Sequence, residues 1–395
     1  MTAIPQSQAT MSAWCSMAEV SLDDNQIGVR RLLGETTCES HLNLTNSADW
    51  MEYMDQGYHN SAYDTFRCDW IVQSKKWNVW GYDFHVERLA HSFQTLVESS
   101  PGTIEKAQIW SNKLFQALLD EAGEFYAADE EERTSTISIN EVAENVQIHM
   151  VRFTFLWTPI LKDGAASIRV CGHAYCSGNQ MFIRQLPDPI VASLDARLVT
   201  SSSDGHNRYL KLDSSSPHRF DHHPWVKQSA WTRDRKPLRK KEQEKYRKCV
   251  KPSNKNLDVP ELPPTIGEVL LLREAGSKKE RVELLEGLSS NVFVVFRDGT
   301  LGTAQDDAVL PGYVRHLVLQ DCASTRPILL DGATTTDWRE VFITSSSRLV
   351  IPIERIVVLD EEGQWADVWS STPPPPGGVC KWQELREALL QSHGY

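Results

Sequence analysis

The segment 286–300 combines residue types that could hold a ligand. It opens with Glu286, a glycine and a short polar loop that ends in Ser290 and Asn291. The β-branched and aromatic residues 292–296 predict a strand, which an Asp-Gly turn closes. An acid held at a strand end beside small polar residues could face a bound ring. A plain hairpin with a polar tip accounts for the pattern equally well.

Two other segments carry groups that can bind an anion. In 309–315 a proline and Gly312 precede a predicted helix, whose free backbone N–H groups can hold a negative charge. Arg88 lies beside the apolar stripe of a helix predicted over 83–96. A guanidinium matches phosphate oxygens, although an arginine beside such a stripe is more often solvated.

Lys227 and Lys236 are two candidate amines in the second half of the chain, and the proline after Lys236 disfavours a regular strand there. Cys171 and Cys176 enclose a histidine but lack a second pair of ligands. We therefore predict ordinary strand residues at these two cysteines and no metal site.

Composition excludes several classes of protein. The 395 residues are 41% hydrophobic and 24% charged, which is ordinary for a globular chain with room for two domains. A net charge of −12 disfavours nucleic acid and anionic membranes as partners. The sequence shows neither a transmembrane span nor a targeting peptide, and its eight cysteines are scattered, so we expect a cytoplasmic protein with reduced thiols.

The predicted elements alternate between strands and helices. A partly ordered extension, 1–50, precedes a small α/β domain at 51–186, and two prolines near residue 188 mark the passage to a second domain at 187–372. A Pro/Gly linker and a closing helix occupy 373–395. Within these domains we predict strands at 61–68, 71–80, 146–157, 166–175, 190–200 and 292–296, and a helix through 107–118. We also predict a loop at 201–224 and an insertion at 239–264, whose basic part is solvated and which precedes the segment 266–272.

Taken together, several segments resemble one family. Residues 286–293, Glu-Gly-Leu-Ser-Ser-Asn-Val-Phe, resemble the E-G-x-S-S-N-x-F segment of the class IV aminotransferases, which are fold-type IV pyridoxal-phosphate enzymes. Residues 63–67 resemble the family's Y/F-x-T-x-R strand, and 85–89 its H-x-x-R-L motif. Residues 309–315 and 342–347 resemble V-L-P-G-x-x-R and F-x-T-S-S/T-S. The family includes D-amino-acid transaminases, branched-chain aminotransferases and aminodeoxychorismate lyases.

The resemblance implies a fold and a set of roles. The implied fold is α/β, with a small N-terminal α/β domain and a larger C-terminal pseudo-barrel domain that binds pyridoxal phosphate. Lys227, followed by a segment that resembles W-V-R-x-R-K-P-L, is implied as the Schiff-base lysine. Glu286 would face the pyridine nitrogen, and Tyr63 and Trp157 would line the substrate pocket. The implied cofactor-binding residues are Arg88, Glu286, Ser290, Asn291, Gly312, Tyr313, Val314, Ser345 and Ser346.

The resemblance implies amino transfer between an amino acid and a 2-oxo acid, in a homodimer. A lyase acting on aminodeoxychorismate would use the same cofactor and lysine, and a cofactor-binding protein without turnover is a third hypothesis. Trp157-Thr158-Pro159 replaces the arginine that D-amino-acid transaminases place after this strand, so a preference for D-amino acids is not implied.

Overall fold

The chain forms two compact units, Met1–Gln185 with Tyr395, and Leu186–Gly394. The computed structural model describes most of both. The described residues are 14–20, 27–31, 61–97, 99–133, 146–162, 165–201, 209–212, 224–249, 266–275, 281–320, 322, 325–330, 334–359, 365–372 and 378–395. None of the described helices has the length and apolarity that a membrane crossing requires.

The first unit contains an antiparallel sheet of six described strands in the order β2-β1-β6-β5-β3-β4. Its elements are β1 Trp14–Val20, β2 Ile27–Arg31, β3 Ala62–Ile71, β4 Lys76–Val79, α1 Tyr82–Leu96, α2 Pro101–Arg133, β5 Gln147–Lys162 and β6 Ala165–Phe182. The apolar stripe predicted for α1 is buried at Val86, Leu89 and Phe93. Leu89 and Phe93 belong to one core cluster with Phe153 and Leu118.

Two expectations for the first unit need correction. The predicted extension supplies β1 and β2, and β1 pairs with β6 from Trp14 to Val20. Weak alternation of apolar residues had hidden these strands in the sequence. The strand predicted over 71–80 is only β4, because residues 72–75 form the turn after β3.

The second unit is built around a larger sheet, of eleven described strands. Its elements are β7 Ile190–Ser201, β8 Tyr209–Leu212, α3 Ser229–Cys249, β9 Ile266–Ala275, β10 Arg281–Gly287, β11 Asn291–Phe296, β12 Leu301–Gly302, α4 Tyr313–Gln320, β13 Thr325–Arg326, β14 Ile328–Leu330, a 3₁₀ turn Thr334–Asp337, β15 Trp338–Ser345, β16 Leu349–Leu359, β17 Trp365–Ser370 and α5 Lys381–Ser392.

Six of these strands form a closed ring. The path runs β11-β15-β16-β7-β9-β10, and β10 pairs again with β11. That last pairing is a single residue pair, Glu286 with Asn291. Beyond it the hairpin splays, because β10 continues along β9 and β11 continues along β15. The pseudo-barrel predicted for this half is thus present, and its seam lies at the start of the segment 286–300.

Other expectations for the second unit are wrong in part. β8 lies within the predicted loop 201–224. The basic part of the predicted insertion belongs to α3, which extends to Cys249. Lys240 and Lys241 are exposed, as the prediction of a solvated run requires, whereas Glu242 and Tyr246 are buried. A helix with one buried face accounts both for these exposed charges and for the buried side chains between them. Residues 250–265, and 373–377 of the predicted linker, lie outside the described residues.

Candidate cofactor and substrate site

Glu286 lies at the seam of the ring, and 6% of its surface is exposed. Its Oε2 accepts hydrogen bonds from the Leu310 backbone N–H, at 3.2 Å, and from Asn291 Nδ2, at 3.4 Å. No described residue donates a hydrogen bond to Oε1. The carboxyl group is therefore fixed through one oxygen, while the other remains available to a further donor.

Burial governs the charge of this carboxyl. Loss of water raises the pKa of Glu286 to about 8, against the lowering effects of the Leu310 N–H and the Arg315 charge, while the charge of Glu268 raises the pKa further. A buried acid in this state gains most from a cationic donor at Oε1. Such a donor would restore the ionised form at neutral pH.

The segment before α4 is clamped by the same two side chains. Asn291 Nδ2 donates to the Leu310 carbonyl at 2.8 Å, so that Glu286 and Asn291 hold both backbone groups of Leu310. Two residues later the chain reaches Gly312, where an added Cβ would collide with Asn291 Oδ1. Only glycine fits this close approach, and it brings the N-terminus of α4 beside the seam.

One face of helix α3 donates hydrogen bonds to the turn of the β10–β11 hairpin. Trp231 Nε1 and Arg235 Nη1 both donate to the Leu288 carbonyl, at 3.2 and 3.0 Å, and Arg239 Nη2 donates to Ser289 Oγ at 3.1 Å. Residues 231, 235 and 239 are spaced four apart, which places them on one side of a helix. The start of α3 is thereby fixed to the Glu286 hairpin.

The two candidate lysines lie in different surroundings. Lys227 is half-buried and precedes the first residue of α3 by two positions. Lys236 lies inside α3, next to Pro237, and its side chain is exposed. Of the two, Lys227 is the lysine in the partly enclosed position that an amine nucleophile requires.

A buried carboxylate, Glu268, connects the turn to other segments of the ring. It is fully buried and accepts hydrogen bonds from Arg239 at 3.1 Å, Arg348 at 2.8 Å, Ser289 at 3.0 Å and Ser290 at 2.9 Å. Burial alone would raise the pKa of Glu268, but the charges of Arg348 and Arg239, with the hydrogen bonds, hold it below its ordinary value. Sequence reasoning missed Glu268 and both arginines. Serines 289 and 290 were its only visible signal, since such hydroxyls need an acceptor when buried.

The serine turn predicted to reach a phosphate joins this network. Ser345 ends β15, and Ser346 lies in the turn that leads to β16. Ser345 Oγ accepts from the Arg348 backbone N–H at 3.3 Å. Both serines are half-buried. Because Arg348 also donates to Glu268, this arginine connects the serine turn to the Glu268 cluster.

Two predicted residues at the start of α4 serve the packing of the second unit. Val314 is buried in the core. The Tyr313 hydroxyl lies 3.1 Å from His393 Nε2, close to the end of α5. Burial raises the pKa of Tyr313 above its ordinary value, so the phenol stays neutral.

The predicted residues of the first unit have partners of their own. Arg88 is buried, and its guanidinium donates two hydrogen bonds to Asp64, at 2.7 and 2.6 Å. Tyr63 is buried in β3. Trp157 is fully buried in the core, with its indole N–H donated to Ser111 Oγ at 3.0 Å. Trp157 as a substrate contact stays a prediction, and the packing gives this side chain a structural role as well.

Solved structures share this architecture. The chain matches the branched-chain aminotransferase from Thermoproteus uzoniensis with a TM-score of 0.50 and 14% identity, over 97% of this chain and 94% of that chain. It matches a mutant of the branched-chain amino acid aminotransferase from Thermobaculum terrenum with a TM-score of 0.52 and 13% identity, over 96% and 92% of the two chains. No protein-family model and no curated protein matches the chain in sequence.

A closed ring, with a buried acid at its seam beside a glycine-led helix, forms the centre of the α/β second unit. More particularly, the chain has the α/β fold of the fold-type IV aminotransferases, as the sequence predicted.

Proposed function

We propose that this protein is a pyridoxal-phosphate-dependent aminotransferase that moves an amino group between an amino acid and a 2-oxo acid. The observation that carries the proposal is the buried Glu286 carboxyl, which is fixed through Oε2 and leaves Oε1 without a donor among the described residues. A protonated pyridine nitrogen is the donor that this oxygen suits. It supplies both the hydrogen bond and the positive charge that a desolvated acid lacks.

The surroundings of Glu286 fit the rest of the cofactor. The start of α4, brought close by Gly312, offers backbone N–H groups to a phosphate. Ser345 and Ser346 add hydroxyl groups in the neighbouring turn of the same ring. Lys227, half-buried before α3, is the amine that would hold the cofactor. All of these groups belong to the second unit.

Each residue has a distinct chemical task in this proposal. Bound pyridoxal phosphate supplies the ring that accepts electrons from the substrate. Glu286 Oε1 would hold a proton on the ring nitrogen, and Asn291 keeps the carboxyl oriented through Oε2. Lys227 would hold the cofactor and, as a free amine, its Nζ would accept the proton from the substrate Cα. The hydroxyl and N–H groups around Gly312 and Ser345 keep the cofactor in place.

The roles of Arg88 and Tyr63 in the first unit remain part of the proposal, as does a homodimer. Arg88 would contribute a fixed positive charge, since its pairing with Asp64 holds the guanidinium in one orientation. A pair of hydrogen bonds of this kind keeps a side chain ordered before any ligand arrives.

The test compares two lysine variants. Purified protein is incubated with pyridoxal phosphate and then with 2-oxo acids and a panel of L- and D-amino acids, and amino transfer is measured. Lys227→Ala should lose the cofactor's lysine-bound absorbance band and all transfer activity. Lys236→Ala should keep both, because that side chain is exposed on α3. The reverse pattern would refute the assignment of Lys227 as the lysine that holds the cofactor.

The same preparation separates the other hypotheses. Pyruvate release from aminodeoxychorismate without amino transfer would identify a lyase and contradict the proposal. Cofactor uptake with neither activity would identify a binding protein. Transfer that depends on added 2-oxo acid is the result that we expect.

A further inference from the structure

We infer that Arg239 and Arg348 form an anion subsite beside Glu286 that receives a carboxylate group of the substrate. The inference rests on the proposed function and extends it to the recognition of the amino acid and the 2-oxo acid. Neither arginine belonged to the site predicted from the sequence.

The charge balance of the cluster leaves one positive charge over. Glu268 is a single, fully buried carboxylate, and two guanidinium groups pair with it, at 3.1 and 2.8 Å. One arginine would suffice to neutralise Glu268. The second cation is surplus unless it serves an anion that arrives from outside the cluster.

Both guanidinium groups keep donors in reserve. Arg239 and Arg348 each contact Glu268 and Ser289 through Nη2 alone. Within the part of the chain that the structure describes, neither Nε nor Nη1 of either arginine donates a hydrogen bond. Their side chains are 40% and 32% exposed, so these donors are open to a ligand. A planar fork with unused N–H groups is suited to a carboxylate.

The cluster is fixed in advance and lies near Glu286 and the serine turn. Glu268 and Ser289 hold both Nη2 atoms, so little side-chain freedom is lost when an anion binds. The negative charge of Glu268 raises the pKa of the Glu286 carboxyl. The Arg348 backbone N–H is bound to Ser345. The subsite therefore borders both the seam and the serine turn.

Two anions could use such a subsite, the substrate carboxylate and the cofactor phosphate. The phosphate already has N–H and hydroxyl donors around Gly312 and Ser345 in the proposed function. Every amino acid and 2-oxo acid carries a carboxylate, which needs a cationic partner of its own. We therefore assign the two arginines to the substrate.

The test uses acetate and succinate as probes on the protein loaded with pyridoxal phosphate. Dissociation constants are measured from changes in tryptophan fluorescence, and cofactor affinity is measured separately from absorbance. Arg239→Gln and Arg348→Gln should each raise the dissociation constants about 10- to 100-fold, as expected for a lost charge-assisted contact. Cofactor affinity should remain within about twofold. Arg355→Gln, which removes a half-exposed arginine paired with Asp367 in the same unit, should change neither quantity.

Conservative variants guard against misfolding. Arg239→Lys and Arg348→Lys keep the charge but lose the fork, so they should fold and weaken acetate binding less than the glutamine variants do. Equal acetate binding in all arginine variants would overturn the inference, leaving both groups as counter-ions of Glu268. Loss of cofactor affinity with unchanged acetate binding would assign the arginines to the phosphate instead. Failure of the unaltered protein to take up the cofactor would overturn the proposed function itself, whatever the acetate arm gives.

Discussion

Replacing Glu286 with glutamine should change how the stability of the cofactor-free protein depends on pH. Burial raises the pKa of Glu286 from 4.5 to about 8 in the folded state. Between these values the unfolded chain has released the proton while the folded chain keeps it, so stability falls as pH rises. At about 1.4 kcal/mol per pH unit, the loss over this window comes to about 5 kcal/mol.

Glutamine removes this dependence without changing the shape of the side chain. Its amide oxygen can still accept from the Leu310 N–H, which now binds Oε2. The free energy of unfolding, measured with urea at pH 5, 6, 7 and 8, should therefore fall more steeply for the unaltered protein than for Glu286→Gln. Ionisable groups that do not interact with Glu286 affect both proteins alike and cancel in the comparison.

Bound cofactor should remove most of the difference in pH dependence between the unaltered protein and Glu286→Gln. A cation at Oε1 lets Glu286 ionise at no cost, so added pyridoxal phosphate should stabilise the unaltered protein more at pH 8 than at pH 5. Parallel pH curves for the two cofactor-free proteins would refute the reasoning, because they would mean that Glu286 ionises in the folded state as it does in water.

Three further changes test other parts of the structure. Gly312→Ala should destabilise the protein by about 1–3 kcal/mol in urea unfolding and weaken cofactor retention, because the new methyl group collides with Asn291. Asp69→Asn should cost about 3–5 kcal/mol by the same assay, since this buried carboxylate accepts both from Arg67 and from two neutral donors. Trp157→Phe should cost about 1–3 kcal/mol and leave the substrate KM unchanged, which checks that this indole serves the core; a large rise in KM with unchanged stability would return it to the substrate pocket.

The parts of the site that the sequence predicted are those whose signal is local. Glu286, Gly312 and Ser345 each lie within a short motif in which strand, turn and helix signals are contiguous. The strand after Asn291 was predicted nearly to the residue, because every one of its residues is apolar and buried. Such a strand needs no information from elsewhere in the chain.

The parts that were missed depend on contacts between distant residues. Glu268 is 29 residues from Arg239 and 80 from Arg348, and nothing near it in the sequence marks it as buried. Arg239 belongs to a basic run that indicated solvent, but it lies on the same face of α3 as the buried Glu242. Single-residue patterns do not reveal which of many charged side chains finds a partner inside the protein.

The single pair that closes the ring bears on how the protein moves. Since β10 and β11 are neighbours in the chain, separating Glu286 from Asn291 opens a short hairpin and leaves the pairings with β9 and β15 in place. Reclosure of a hairpin takes microseconds, far faster than unfolding. The ring can therefore open locally between β10 and β11 while the rest of the sheet stays paired. Amide protons at the tip of the hairpin should exchange with solvent sooner than those of Val294, and a ligand that bridges the seam should slow them first.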